Sequence, residues 1–397
     1  MKRAANETPT KLMNWTHGTD DTPKKKTPSI PSCITRCSPV KCTKQRHPSM
    51  SKVNTFVFFD IETSGLIPDN EQTDSWERLL VKGQEKFTQN LEQIILHTRD
   101  KELPRLTEMS FVAIPRDTFR EYQAIFKKDE SNGVTELGRY IPTNTHTRQI
   151  NPNLTIGEWI QYDASKAKND KIVYKQDVLR LKNTFDREWP AVIDFFNSLV
   201  KPVAIVAHNG MRFDFRILFS EVKRYKLLEE YPIPKQVLFI DSLALIRQVE
   251  IKFSEDMQLH CKNVDWAKIA KLCKSQNEMV PVRIDFPPEP QQPQDDSASS
   301  TTAHAYDFLN LNDWSIAKKR RILKSYFKRG PDNTWKYNSG DAKFASTRVG
   351  ILFEELVGGK FTAHYAQQDS EALMQICMTY GEEFLNFVDQ NAAEFPF

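Results

Sequence analysis

The chain has 397 residues, of which 39% are hydrophobic and 11% aromatic, and its formal net charge is only +3. This length suits one large domain or two ordinary ones, and the apolar content is ample for a core. The sequence contains no apolar run of about 18 residues and no apolar signal-peptide core. We therefore expect a soluble protein of the nucleus or cytoplasm, with no membrane-spanning helix and no secretion.

Positive charge is concentrated in an N-terminal tail. Residues 1–50 contain ten Lys and Arg residues and three acidic residues, which leaves the remaining 347 residues with a net charge of −4. The tail is rich in Pro, Ser and Thr without helical or strand periodicity, which predicts a disordered basic segment. The six cysteines of the chain show no disulfide framework and favour a reducing compartment. Four tail residues are candidate zinc ligands, although their spacing matches no standard zinc finger: Cys33, Cys37, Cys42 and His47.

Strands and helices are predicted to alternate along residues 51–397, which we interpret as one domain. Short apolar runs predict buried strands at Thr55–Phe59, Leu106–Ile114, Val203–Ala207 and Val237–Asp241. Helices are predicted directly after the last of these strands and over Gln176–Leu199, Phe213–Leu228, Phe344–Leu356 and Asp369–Tyr380. Residues 69–103 and 275–340 are predicted insertions, the second with a Pro/Gln/Ser-rich loop. The alternation indicates an α/β fold with a central mixed β-sheet flanked by α-helices.

The first chemical motif is Asp60-Ile-Glu62, at the end of the first predicted strand. Side chains alternate along a strand, so Asp60 and Glu62 point the same way, about 7 Å apart along the strand. Two carboxylates on one face suit a divalent metal ion. The spacing alone is common, and further Asp-x-Glu copies begin at Asp69, Asp100, Asp186 and Asp369. Only the first copy ends an apolar strand, and the alternative interpretation is a pair that merely stays solvated.

The second motif, residues 207–215, joins an apolar strand to a helix through the tight polar turn His208-Asn-Gly-Met-Arg. Asp214 opens that helix, where the helix dipole stabilises an acidic side chain. Alternatively, Asp214 is a third metal ligand at the same end of the sheet as Asp60. The sequence leaves both interpretations open.

The third motif is His364-Tyr-Ala-Gln-Gln-Asp369, directly before the last predicted helix. A single histidine is more often structural than catalytic, and the same spacing also occurs at His260 and Asp265. Taken together, four carboxylates and a histidine match two-metal phosphodiester hydrolysis, in which two Mg²⁺ or Mn²⁺ ions lie about 3.5–4 Å apart. A histidine with a pKa of about 6.5 suits the general base that activates water.

Four passages resemble the DEDDh exonucleases, the DnaQ-like superfamily of ribonuclease H-like fold, and more narrowly the three-prime repair exonuclease (TREX) family. These passages are residues 58–66, 206–215, 240–245 and 363–369. The resemblance implies a 3′→5′ exonuclease that acts on single-stranded or mispaired 3′ ends of DNA and releases nucleoside 5′-monophosphates. It also implies a homodimer joined edge to edge through its sheets.

The resemblance assigns roles to individual residues. His364 would be the general base, and two Mg²⁺ ions, replaceable by Mn²⁺, would be held by Asp60, Glu62, Asp214 and Asp369. Leu66 would wedge against the terminal base, the backbone near Thr63 would meet the terminal nucleotide, and Phe213 would pack beside it. The expected substrate contacts are Glu62, Thr63, Ser64, Leu66, His208, Arg212 and Phe213. Ser64 stands where the family usually has threonine, a change that keeps the hydroxyl.

A basic stretch and two rival functions complete the expectations. Residues 318–329 hold seven basic residues and no acidic one. They are interpreted as a solvated helix face, a nuclear import signal or, as the mildly acidic body favours, a basic loop that grips DNA. One rival function is an RNA exonuclease, since no residue is assignable to the 2′-hydroxyl. The other is a non-catalytic nucleic-acid-binding protein, although unneutralised carboxylates would repel DNA.

Overall fold

The computed structural model of the chain describes residues 52–67, 103–131, 141–168, 172–261, 314–329, 335–337, 347–358 and 364–394. Several expectations lie outside these residues. They are the disordered tail with its zinc-ligand candidates, nearly all of the insertion at 69–103 and most of the insertion at 275–340. These expectations stay predictions.

A mixed sheet organises the described part of the chain. Its strands are β1 (Thr55–Thr63), β2 (Leu106–Pro115), β3 (Asn144–Gln149), β4 (Val203–Ala207), β5 (Val237–Asp241) and β8 (Ala393–Glu394). The strand order is β3-β2-β1-β4-β5-β8. β1, β4 and β5 run parallel, whereas β2 is antiparallel to β1 and β3, and β8 is antiparallel to β5. A separate antiparallel pair consists of β6 (Phe327–Arg329) and β7 (Trp335–Tyr337).

Helices connect and cover these strands. They are α1 (Arg116–Ser131), α2 (Ile156–Lys166), α3 (Gln176–Leu179), α4 (Phe185–Ser198), α5 (Asp214–Arg224), α6 (Ser242–Cys261), α7 (Ile316–Tyr326), α8 (Val349–Leu356), α9 (Ala366–Thr379) and α10 (Glu382–Asn391). The predicted α/β class, a central mixed sheet flanked by helices, is confirmed. Among the described helices, none combines the length and apolar character needed to cross a membrane.

Alternation along β1 decides which side chains meet which helices. Phe56 packs against Phe119 of α1 and Phe384 of α10, with ring centroids 5.1 and 5.2 Å apart. α9 lies against β1, β2 and α1. Phe59 points to the other face, where it stacks on Phe215 of α5 with ring centroids 6.3 Å apart. Because even-numbered residues of β1 share the face of Phe56, the carboxylates that end this strand face α9.

Two predicted helices in the middle of the chain have different bounds. The stretch predicted as one helix over 176–199 is two helices, α3 and α4, because the intervening chain leaves the helix and Asn151 forms an isolated bridge with Thr184. Leu181 is 87% exposed and therefore does not belong to an apolar helix face. The helix predicted over 213–228 ends at Arg224, and Lys226 adopts a left-handed conformation before a short 3₁₀ turn at Leu227–Glu229.

The end of the chain contains more structure than predicted. The helix predicted over 369–380 is α9, which begins three residues earlier at Ala366. Beyond it lie α10 and the two-residue strand β8, neither of which was predicted. Gly381, with φ of 61°, makes the turn between α9 and α10. α10 contributes Phe384 and Leu385 to the core, so the last helix is part of the fold.

Candidate metal centre

Three carboxylates converge at the C-terminal end of β1. Asp60 and Glu62 lie on the β1 face that is covered by α9, and Asp369 lies in the first turn of α9. One carboxylate oxygen from each of the three side chains lies within 4.8 Å of the others. Hard oxygen ligands at this separation suit Mg²⁺ or Mn²⁺. Glu62 and Asp369 are distant in sequence but meet in space because α9 packs on β1.

Asp214 lies beside this group, although it is not one of the three close carboxylates. It is the first residue of α5 and is only 4% exposed. Its negative charge is the largest of the neighbouring charges that raise the pKa of Asp60. A backbone hydrogen bond from Ile61 of β1 favours the ionised form of Asp214. Asp214 is therefore both an acidic helix start and a neighbour of the carboxylate group, so the two interpretations of its motif are compatible.

The four carboxylates have raised pKa values. Burial raises the pKa of Glu62 to about 8, with the charge of Asp369 as the next cause, and burial raises the pKa of Asp214 to about 8. Burial and neighbouring acids also raise the pKa of Asp60, and burial raises that of Asp369. Crowded acids of this kind disfavour the charged form unless a cation compensates. Their oxygen chemistry and their mutual repulsion both fit a divalent cation.

His364 is held next to this group through its backbone. Its N–H donates to Oδ2 of Asp369 over 2.8 Å. Its φ is 73°, a left-handed conformation that is uncommon for a residue other than glycine. Its charge favours the ionised form of Asp369, so the two side chains interact electrostatically. The third motif therefore brings its histidine and its acid together, as expected, and does so through a strained turn.

The turn that follows β4 is held by Asp241. Oδ1 of Asp241 accepts the backbone N–H of Asn209 over 3.0 Å, and Oδ2 accepts that of Met211 over 3.1 Å. Asp241 is 1% exposed and also accepts the N–H of Leu243. A Cβ on Gly210 would lie 2.6 Å from Cβ of Ala207, so the turn requires glycine here. These constraints determine where the chain enters α5 and hence where Asp214 lies.

His208, one of the predicted substrate contacts, is engaged by the protein at both ring nitrogens. Nδ1 lies 2.9 Å from Oγ of Ser242, and Nε2 lies 2.7 Å from the carbonyl oxygen of Thr347. Burial lowers its pKa to about 4, which favours the neutral ring. In this arrangement His208 links β4 to the start of α6 and to the segment before α8. A substrate contact through its ring nitrogens would require these bonds to break.

The other predicted substrate contacts lie in two places, at the end of β1 and in the turn before α5. Oγ1 of Thr63 donates to the carbonyl oxygen of Gly65 over 2.6 Å, and Oγ of Ser64 accepts the N–H of Arg105 over 2.9 Å. Leu66 is 78% exposed, which leaves its side chain accessible to a ligand. Farther along the chain, Phe213 is partly buried against the core and Arg212 is half-buried in the turn before α5.

Two residues near the site were not expected from the sequence. Glu108 of β2 pairs with Glu62 in the antiparallel register and is 4% exposed. Arg105 donates from Nε to Glu221 of α5 over 2.7 Å and thereby ties the turn after β1 to that helix. Glu108 could have been noticed from the sequence, because it is an acidic residue within the otherwise apolar run of β2. No sequence pattern pointed to Arg105, because its partner is 116 residues away.

In the basic stretch over 318–329, three side chains contact the protein itself, and the interpretation of the rest as a basic loop that grips DNA stays a prediction. Its first part belongs to α7, and Arg321 has a fully buried side chain that donates to Glu250 and Glu355. Arg320 donates to the carbonyl oxygen of Leu356 over 3.0 Å, and Lys318 lies over the ring of Trp314 at 5.0 Å. These side chains face the protein because α7 packs on α6 and α8.

Comparisons with known proteins add likenesses to solved structures. No protein-family model and no curated protein matches the chain. Among solved structures, the chain is similar to E. coli exonuclease I in complex with a dA16 oligonucleotide, with 11% sequence identity and a TM-score of 0.33. The alignment covers 84% of this chain and 43% of that one, so the chain spans less than half of the matched protein. A likeness at this level carries no conclusion about function.

Proposed function

We propose that the protein is a metal-dependent 3′→5′ exonuclease that acts on single-stranded or mispaired 3′ ends of DNA. The observation that carries the proposal is the meeting of Asp60, Glu62 and Asp369 within 4.8 Å at the end of β1. Asp214 and His364 lie beside them, so the five residues of the three sequence motifs share one region. The proposal also rests on the resemblance of these motifs to the DEDDh exonucleases.

In this function the carboxylates of Asp60, Glu62, Asp214 and Asp369 would hold Mg²⁺ or Mn²⁺. Bound divalent cations would supply Lewis-acid stabilisation of the charge that develops on the phosphate. His364 would take the proton from the attacking water, since it is held next to Asp369 and an imidazole nitrogen can accept a proton. Hydrolysis would break the bond to the 3′-oxygen of the penultimate nucleotide and release a nucleoside 5′-monophosphate.

Recognition of the chain end would fall to the residues after β1. Leu66 exposes most of its side chain and would contact the terminal base through apolar surface. The turn at Thr63–Gly65 is fixed by its own hydrogen bond and by Arg105, so it offers a rigid backbone to the terminal nucleotide. The implied homodimer would pair through β3, because β8, at the opposite edge of the described sheet, has only two residues.

The test is degradation of a 5′-labelled single-stranded DNA oligonucleotide with Mg²⁺, alongside the RNA of the same sequence. The wild-type chain should shorten the DNA progressively from its 3′ end and shorten the RNA more slowly. Asp60→Asn should abolish shortening while leaving the fold intact, since it removes one charge from a crowded group. EDTA should abolish shortening by the wild-type chain as well.

A matched control is Asp186→Asn. Asp186 begins another Asp-x-Glu sequence, but it lies on α4 and outside the carboxylate group. This variant should cleave like the wild type. If RNA is shortened faster than DNA, the proposed substrate changes to RNA, while the metal-dependent mechanism still stands. If folded wild-type protein shortens neither polymer, the enzyme proposal is wrong, and retained binding would favour the non-catalytic alternative.

A further inference from the structure

Glu108 is a buried acid beside the candidate metal centre with no part in the proposed mechanism. It lies on β2 directly opposite Glu62 of β1. Directly opposed residues of an antiparallel pair have Cα atoms only about 4.5–5.5 Å apart. Its charge adds to the repulsion within the carboxylate group, since it helps to raise the pKa values of Asp60, Glu62 and Asp369. A further acid here disfavours the ionised forms of three neighbouring carboxylates, and its hydrogen bonds indicate why it is present.

Both oxygens of Glu108 accept hydrogen bonds from outside β2. Oε1 accepts the hydroxyl of Tyr174 over 2.7 Å, and Oε2 accepts the backbone N–H of Ala366 over 2.9 Å. Tyr174 belongs to the segment before α3, and Ala366 is the first residue of α9. Glu108 therefore connects the sheet to two segments that are distant in sequence.

The bond to Ala366 fixes the start of α9. The first N–H groups of a helix have no partner within the helix, and a carboxylate at that end is favourable. Asp369 accepts the N–H of His364, while Glu108 accepts the N–H two residues later. The turn from His364 to Ala366 is thus held from within α9 by one carboxylate and from the sheet by the other.

This support explains how His364 keeps its left-handed φ of 73°. Such conformations persist where the surrounding structure holds them. Tyr174 adds a second constraint, because its ring packs edge-on against Tyr365 with ring centroids 6.3 Å apart. The residues on both sides of Tyr365 are therefore anchored by carboxylates, and Tyr365 itself contacts Tyr174, which also bonds Glu108.

We propose that Glu108 is a positioning residue, which fixes the His364–Ala366 turn against the sheet and so sets the placement of the His364 imidazole. Tyr174 orients the Glu108 carboxylate for this bond. The inference rests on the proposed function for its kinetic readout but not for its structural one. It is distinct from two alternatives, in which Glu108 is a further metal ligand or only a buried core residue.

The experiment compares Glu108→Gln and Tyr174→Phe with wild type in the full chain. Glutamine keeps the size of the side chain but cannot accept from both donors in the same way. Tyr174→Phe keeps the Glu108 charge and removes only one bond. The first readout is the imidazole Cε1–H resonance of His364 in ¹³C-labelled protein, assigned among the eight histidines by its absence in His364→Ala. Both variants should shift this resonance, although neither changes His364.

The second readout is kinetic, with a DNA oligonucleotide and Mn²⁺. Glu108→Gln should lower kcat by about 10- to 100-fold, as loss of supporting contacts at metal sites typically does. Mn²⁺ affinity and KM should stay within about threefold of wild type, and Tyr174→Phe should have a smaller effect of the same kind. Combined with His364→Ala, Glu108→Gln should cause no further loss, because both changes act through the same group.

Several results would overturn the proposal. A His364 resonance that moves in Glu108→Gln but not in Tyr174→Phe would show that charge alone acts on the ring. Weakened Mn²⁺ binding would make Glu108 a metal ligand. If the kcat losses of the two single variants multiply in the double variant, Glu108 acts independently of His364. If the wild type cleaves no DNA, the proposed function fails, while the resonance still decides whether Glu108 positions His364.

Discussion

The backbone N–H of His364 donates to Oδ2 of Asp369 over 2.8 Å. This bond joins the proposed general base to a proposed metal ligand, five residues apart in the chain. Asp369 therefore makes two separable interactions, since its carboxylate belongs to the acidic group while one of its oxygens accepts the N–H of His364. Substitutions that remove the charge but keep an acceptor distinguish these interactions.

Asp369→Asn and Asp369→Ala both lose the charge, but only alanine loses the acceptor for His364. We expect both variants to lose most metal-dependent cleavage. Alanine should be less stable than asparagine by about 1 kcal/mol, which is typical of a lost capping bond. Urea unfolding in EDTA measures the difference, and equal free energies of unfolding would show that the bond does not stabilise the metal-free fold.

Removal of metal should make stability depend on pH in a defined direction. Glu62 has its pKa raised from 4.5 to about 8 by burial and neighbouring acids. Between these values the folded state binds more protons than the unfolded state, so the free energy of unfolding falls as pH rises. The contribution is fully present below pH 4.5 and is lost as pH rises through about 8. Thermal unfolding in EDTA should therefore show Tm falling from pH 5 to 8.

Two comparisons test whether Glu62 contributes to this pH dependence of Tm. Glu62→Gln removes one of the titrating carboxylates and should make the decline of Tm in EDTA shallower, with the remainder due to Asp60, Asp214 and Asp369. Mn²⁺ should raise Tm more at pH 8 than at pH 6, because the ion competes with protons for the same oxygens. A Tm in EDTA that rises over this range would contradict the raised pKa of Glu62.

Gly210 is a position where one methyl group should disturb the site. A Cβ there would lie 2.6 Å from Cβ of Ala207 and 2.9 Å from Cε2 of Phe215. Gly210→Ala should cost about 1–3 kcal/mol of stability, as overpacking does. Since α5 begins four residues later with Asp214, cleavage per folded molecule should fall too. Chemical unfolding and the oligonucleotide assay measure the two effects.

Gly157→Ala is the matched control. Gly157 lies in the first turn of α2, and an added Cβ would meet no atom within 4 Å. This variant should match the wild type in cleavage and be more stable by about 0.4–1 kcal/mol, because alanine restricts the unfolded chain. Equal behaviour of the two glycine variants would show that the turn after β4 adapts to a side chain.

Much of the fold was predictable because its central strands are apolar runs bounded by polar turns. β1, β2, β4 and β5 were found in this way, and with them the end of β1 that carries Asp60 and Glu62. β3 escaped because its sequence, Asn144-Thr-His-Thr-Arg-Gln149, has no apolar residue and forms a partly exposed edge. An edge strand pairs with a neighbour on one side only and is partly exposed, so its sequence need not show an apolar run that predicts a strand.

The candidate site was predictable to the extent that it depends on local patterns. The carboxylates of the three motifs stand at strand ends or helix starts, where short sequences identify them. Glu108 and Arg105 were missed because their partners lie far along the chain, in α9 and α5. Arg321 was misinterpreted for the same reason, since a run of basic residues does not reveal that Glu250 and Glu355 bury one of them.

Asp241 supports Asp214 indirectly, and its removal should affect both stability and cleavage. Its two oxygens accept three backbone N–H groups, those of Asn209, Met211 and Leu243. Asn at this position has one acceptor oxygen and turns an amide N–H₂ toward another donor. Asp241→Asn should cost about 1–3 kcal/mol, typical of an unsatisfied buried donor, and should lower cleavage per folded molecule.

Asp389→Asn is the control for this variant. Asp389 of α10 accepts the N–H of Val53 and the guanidinium of Arg116, at the opposite end of β1 from the carboxylates. It should lose stability too but keep wild-type cleavage per folded molecule. Loss of cleavage in both variants would mean that cleavage follows global stability and not the position of the turn.

The last prediction concerns Arg321, which the sequence suggested as a DNA contact. Its side chain is fully buried between Glu250 and Glu355. Arg321→Met leaves these acids without their cation, so stability should fall by about 3–5 kcal/mol, as for other broken buried ion pairs. Affinity of the folded variant for a labelled single-stranded oligonucleotide should not change. The measurement is fluorescence anisotropy over a range of salt concentrations, since a lost phosphate contact would reduce the salt slope by about one. A reduced slope would restore Arg321 as a DNA contact.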